Sequence, residues 1–172
     1  DRANAAIICG PHSSVQNIAF WYPEQTLEDG KVIPYPAAIN QNYINGLTVR
    51  NVTFVNAYRG IDAVQSGAVL ALEYLRDIHG TCLETGYCND FNLDIGKLEN
   101  FHLSPNYWLE SGLPGTPDEQ QLRTYMLRNS VGIHMGQADF FYFSDIYIEG
   151  YYKGFYFTSS QTNTAGNLVA NG

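Results

Sequence analysis

The chain has 172 residues, enough for one compact domain and too few for two of ordinary size. Its 9 basic and 17 acidic residues give a formal net charge of −8, which argues against nucleic acid, whose binding rests on Lys and Arg neutralising phosphates. No apolar run approaches the ~20 residues that a membrane-spanning helix needs, so an uncharged polysaccharide, or a neutral or cationic partner, fits the charge best.

In chain order, one short motif recurs five times: Asn17-Ile18-Ala19-Phe20, Asn51-Val52-Thr53-Phe54, Asp77-Ile78-His79-Gly80, Asn100-Phe101-His102-Leu103 and Asp145-Ile146-Tyr147-Ile148. Two residues before each polar residue stands another apolar one: Val15, Val49, Leu75, Leu98 and Phe143. The residues at +1 and +3 alternate as a strand does, with both side chains on one face. The step from −2 to +1 breaks that period, so the chain must turn at the Asn or Asp. These side chains suit the turn because they bond nearby backbone and tolerate the left-handed region. Stacked copies bury together an apolar face that none can bury alone, and their Asn and Asp side chains are expected to form a ladder.

This pattern predicts an all-β, right-handed parallel β-helix, a solenoid over residues 1–172 as a single domain. Gly60, Gly86 and Gly154 each follow their motif by nine residues and mark a second turn. Residues 116–129 break the repeat as one short inserted helix. Thr116 is the expected N-cap, Pro117 opens the helix, and Asp118 and Glu119 favour its positive end. Leu122, Tyr125 and Met126 supply one apolar stripe. The chain begins without Met, opens on a coil and ends uncapped, so it reads as a piece of a longer protein.

Asp94 and Asp139 are the sharpest candidate pair, each six residues before its motif. In-register neighbours would stack ~4.8 Å apart, with Leu93, Ile95, Ala138 and Phe140 turned inward. Close carboxylates push one pKa up, which is how an acid and an ionised partner arise in glycoside hydrolysis. The same pair could instead bind Ca²⁺ or stand solvated; otherwise no cofactor is expected. Glu84 and Asp90, in the turn-rich stretch before Asp94, are further acid or base candidates, and Glu149 is a weaker one.

Rings stack on sugar faces, so Tyr107, Trp108 and Tyr151 are the expected substrate contacts, with core packing as the alternative. His79 and His102 share the +2 position but lack the third ligand that a zinc enzyme needs, which favours surface imidazoles. The three cysteines fit no zinc spacing; buried thiols are favoured over a Cys82–Cys88 disulfide.

With these motifs, the stretch Asn100-Phe101-His102-Leu103-Ser104-Pro105-Asn106-Tyr107-Trp108, and the segments 136–139 and 148–154, resemble the pectate-lyase-like superfamily of right-handed β-helices. The bacterial members related to tandem-β-helix β-1,3-glucanases are the most similar in character. The resemblance spans nearly the whole chain. It implies a secreted or cell-surface protein, of bacterial type, acting on a polysaccharide or oligosaccharide. The sequence has no Asn-Thr-Asp, Gly-His-Gly or Arg-Ile-Lys motif, so the polygalacturonase residues have no counterparts here. Glycoside hydrolysis is the first expectation. A polysaccharide lyase, and a non-catalytic, tailspike-like glycan-binding segment, are the alternatives.

Overall fold

All five motif polar residues adopt the left-handed backbone that their turn requires, with φ from 50° at Asn100 to 57° at Asn17. The computed structural model describes residues 3–41, 45–64 and 70–160. Its elements are β1 (Ile7–Cys9), β2 (Ser13–Phe20), β3 (Leu27–Glu28), β4 (Lys31–Val32), β5 (Ala37–Gln41), β6 (Asn45–Val64), β7 (Ala71–Asp90) and β8 (Gly96–Leu103), followed by helices α1 (Asn106–Leu109) and α2 (Glu119–Asn129) and then β9 (Val131–Met135), β10 (Phe141–Ile148) and β11 (Lys153–Phe157).

The motif positions line up strand against strand. Val15, Val49, Leu75, Leu98 and Phe143 form one column; Ile18, Val52, Ile78, Phe101 and Ile146 form a second; Phe20, Phe54, Gly80, Leu103 and Ile148 form a third. In the inner strands these side chains are fully buried, and the Phe20 and Phe54 rings stack at 5.5 Å. The polar ladder is present as well: Asn51 Nδ2 donates to Asn17 Oδ1 and Asn100 Nδ2 to Asp77 Oδ1, both at 2.8 Å. A further column is made of glycine, Gly60 beside Gly86 beside Gly132 beside Gly154.

The expected right-handed parallel β-helix, a solenoid with one short inserted helix, is corrected. The structure defines one nine-stranded sheet of parallel pairs in the order β1-β5-β6-β7-β8-β10, with β2 beside β6, β9 beside β7 and β11 beside β9. The strand order is open at both ends, and no closed solenoid is defined among the described residues. β6 and β7 run for 20 residues each, so one strand serves several neighbours: β7 pairs with β8 through its first half and with β9 through its second. β3 and β4 form a separate antiparallel ribbon. Among the described residues there are two helices rather than one.

Both helices lie in the long connection between β8 and β9. Helix α2 starts later than expected because Asp118, not Thr116, accepts the Gln121 N–H at 3.0 Å. Thr116 instead donates to the Leu113 carbonyl at 2.8 Å. Leu122 and Met126 of the expected stripe are fully buried, with Tyr125 partly so. Cys9, Cys82 and Cys88 are all free thiols, so no disulfide joins Cys82 to Cys88. No helix among the described residues is long and apolar enough to cross a membrane.

One carboxyl group sits where an apolar residue belongs. Glu73 lies in register between Leu47 and Gly96 and is fully buried. Its Oε2 accepts from the Tyr87 hydroxyl at 2.5 Å and from Asn89 Nδ2 at 2.6 Å, while Oε1 has no partner. Burial pushes its pKa up to about 7, the neighbouring donors Tyr87, Asn92 and Asn89 offsetting only part of the rise.

Candidate functional site

The short helix α1 builds the site because its consecutive residues point in different directions. Trp108 is fully buried, and its backbone N–H reaches Thr81 Oγ1 at 3.1 Å. Thr81 Oγ1 in turn donates to the Ser104 carbonyl at 2.7 Å. With Trp108 anchored, Tyr107 faces a groove of about 450 Å³, lined with it by His102, Ser104, Glu110, Tyr147 and Glu149. That volume lies in the range of small-ligand sites.

Besides Tyr107 of α1, the rings come from the +2 column. His79 and His102 meet edge-to-face at 5.5 Å, Tyr107 lies 6.0 Å from His79, and Tyr147 lies 5.7 Å from His102. Burial, then the neighbouring His102, holds the His79 pKa below the usual imidazole value, so His79 is neutral at pH 7.

Glu149 is the most tightly held acid in the groove. It accepts from the Tyr147 hydroxyl at 3.1 Å and from Ser104 Oγ at 3.3 Å, and it pairs with Arg123 of α2 at 3.5 Å. Arg123 also donates to Asn106 Oδ1 at 2.7 Å and pairs with Glu119 at 2.8 Å, which ties both helices to the groove. The hydrogen bond to Glu149 raises the Tyr147 pKa, because the phenol is a donor there. Glu110, exposed at the end of α1, has no side-chain partner among the described residues.

No register pair or hydrogen bond links Asp94 to Asp139 among the described residues: Phe141 is in register with Gly96 and Ala138 with Asn92, so a one-residue slip falls within the stretch that holds both. The slip coincides with left-handed backbone at Phe140, φ 54°. Asp94 turns back to accept its neighbour Ile95 N–H at 2.8 Å. Leu93, Ile95 and Phe140, expected inward, are exposed. No three His, Cys, Asp or Glu side chains gather as a metal site among the described residues, at this pair or elsewhere.

The other candidates divide. Glu84 forms a two-pronged ion pair with Arg59, Nη2 to Oε1 at 3.0 Å and Nε to Oε2. Asp90 is buried and caps the Gln137 N–H at 2.9 Å, holding a turn. Trp108 and Tyr151 are core residues, the Tyr151 hydroxyl accepting from the Cys82 N–H at 2.8 Å. Only Tyr107 of the three named rings lines the groove. His102 and Tyr147 were visible in the sequence as one column, while Ser104 and Glu110 depend on where α1 docks.

A larger hollow of about 570 Å³ lies beside Tyr22 and Tyr35, whose rings are 4.8 Å apart, but among the described residues Glu24 is the one acid lining it. The 450 Å³ groove therefore holds the better chemistry. Comparison with known protein families, curated proteins and solved structures gives no match to this chain.

Proposed function

We propose that this groove binds a polysaccharide and that Glu149 and Glu110 form the carboxylate pair of a glycoside hydrolysis. The observation that carries the proposal is convergence: the rings of Tyr107, Tyr147 and His102 line the same hollow as two carboxyl groups. Rings offer the stacking surface that sugar faces need. Hydrolysis needs one carboxyl to protonate the leaving oxygen and a second to attack or to activate water. Glu149, fixed by Tyr147, Ser104 and Arg123, suits the second task. Glu110, unrestrained at the rim, suits the proton transfer.

The test is a glycan screen followed by Glu149→Gln and Glu110→Gln in a responsive protein. Each change is expected to lower kcat by about 10²-fold or more, whereas Tyr107→Ala weakens binding with less effect on kcat. Undiminished turnover in both acid variants would exclude the pair. The engagement of Glu149 by Arg123 favours a second, non-catalytic reading, in which the groove only holds the glycan. That reading predicts binding without turnover in the unaltered protein.

A further inference from the structure

Only 9 of the 172 residues are Lys or Arg, yet three of them meet at one place. Arg50, Arg76 and Lys97 line a cleft of about 260 Å³ together with Tyr74, Thr48 and Glu99. The sheet register builds it: Arg50 stands beside Arg76 and Arg76 beside Glu99, while Thr48, Tyr74 and Lys97 form the adjoining row. These residues precede the motif turns and the groove residues His102 and Tyr147 follow them, so the two hollows are distinct.

Two arginines directly opposite one another on neighbouring strands repel, at a spacing of ~4.8 Å. Asp77 alone answers both among the described residues, approaching each guanidinium at Nε, 3.9 Å from Arg50 and 3.5 Å from Arg76. Against the three cations Arg50, Arg76 and Lys97 stand Asp77, already accepting from Asn100, and Glu99, which leaves one positive charge in excess on a chain that is otherwise acidic. Both arginine side chains are 59% exposed, so their outer nitrogens are open to a ligand. Lys97 Nζ lies 6.0 Å from the centre of the Tyr74 ring, and that ring is 42% exposed.

We propose that this cleft binds a tetrahedral oxyanion, sulfate or phosphate, carried on a sugar whose ring rests on Tyr74. A carboxylate has two coplanar oxygens, which one guanidinium fork already saturates. A sulfate or phosphate ester has three terminal oxygens, enough to accept from two forks on different strands and from an ammonium at once. The bound anion would also relieve the repulsion between Arg50 and Arg76.

The experiment is calorimetric titration with dextran sulfate, unsulfated dextran and inorganic sulfate at fixed ionic strength. Arg50→Gln, Arg76→Gln and Tyr74→Ala are compared with Arg128→Gln on helix α2 as a distant control, the folding of each being checked by circular dichroism. Dextran sulfate is expected to bind and unsulfated dextran is not. Arg50→Gln and Arg76→Gln are each expected to weaken dextran sulfate binding by about tenfold or more, with Arg128→Gln unchanged. Tyr74→Ala should weaken dextran sulfate but not inorganic sulfate. If inorganic sulfate binds as tightly as the polymer, and Tyr74→Ala changes neither, the oxyanion site stands and the sugar is not part of its ligand. The proposal is overturned if dextran sulfate does not bind, or if Arg128→Gln weakens it as much as the cleft variants do.

Discussion

Replacing Glu73 by Gln is expected to stabilise the protein at pH 8 by about 3 kcal/mol while leaving it nearly unchanged at pH 4. The sign follows from burial. The folded-state pKa of Glu73 lies at about 7 against 4.5 for the free side chain. Below pH 4.5 both states carry the proton and nothing is lost. Between 4.5 and 7 the unfolded chain releases it and the folded chain does not, so each pH unit costs about 1.4 kcal/mol of stability. Above 7 the full loss persists. Gln mimics the protonated acid, because its oxygen still accepts from Tyr87 and Asn89 and its amide replaces the O–H. Urea melts of both proteins at pH 4, 6 and 8 give the comparison, and a constant difference across that range would contradict it. Glu73→Leu is expected to be worse than Gln, since it strands the Tyr87 hydroxyl and the Asn89 amide in the core.

The second large effect concerns the glycine column. A Cβ on Gly60 would lie 2.4 Å from the Gly86 carbonyl oxygen, and one on Gly86 would lie 2.7 Å from that of Gly132. Backbone cannot swing aside as a side-chain tip can, so the neighbouring strand must shift and its ladder must stretch. Gly60→Ala and Gly86→Ala are each expected to cost about 3 kcal/mol, at the upper end of overpacking penalties. Gly154, in the same column but on the outer strand β11, would meet nothing within 4 Å. Gly154→Ala is therefore expected to change stability by less than about 0.5 kcal/mol. Equal effects at Gly86 and Gly154 in a denaturant titration would refute the close-approach explanation.

These glycines also show how far the sequence could be read. Gly60, Gly86 and Gly154 were legible from their fixed distance to the motif. Gly132 was not, because α1 and α2 intervene between Asn100 and the strand that carries it. The three apolar columns and the Asn–Asp ladder were legible because a strand's period of two and a left-handed turn leave a local signature. The strand connectivity was less so. Nothing local signals that β7 runs through 20 residues with two different partners.

The site was harder still. Asp94 and Asp139 share a sequence offset, but the register slips by one residue within the stretch that holds them, so equal offsets there do not by themselves align positions. Trp108 and Tyr107 look equivalent in the sequence, yet the docking of α1 buries one and presents the other. Glu73 did carry a signal, a carboxyl group four residues before Asp77 where the preceding copy has Leu47.

In the proposed function, in-register stacking gathers residues far apart in the chain into one glycan-binding groove. The four imidazoles, at His12, His79, His102 and His134, report on it directly. Their ring C–H resonances can be followed by NMR as neutral oligosaccharides are added. Shifts are expected at His79 and His102, with His12 and His134 unmoved. Shifts confined to His12 or His134, or none with any oligosaccharide of a broad panel, would contradict it.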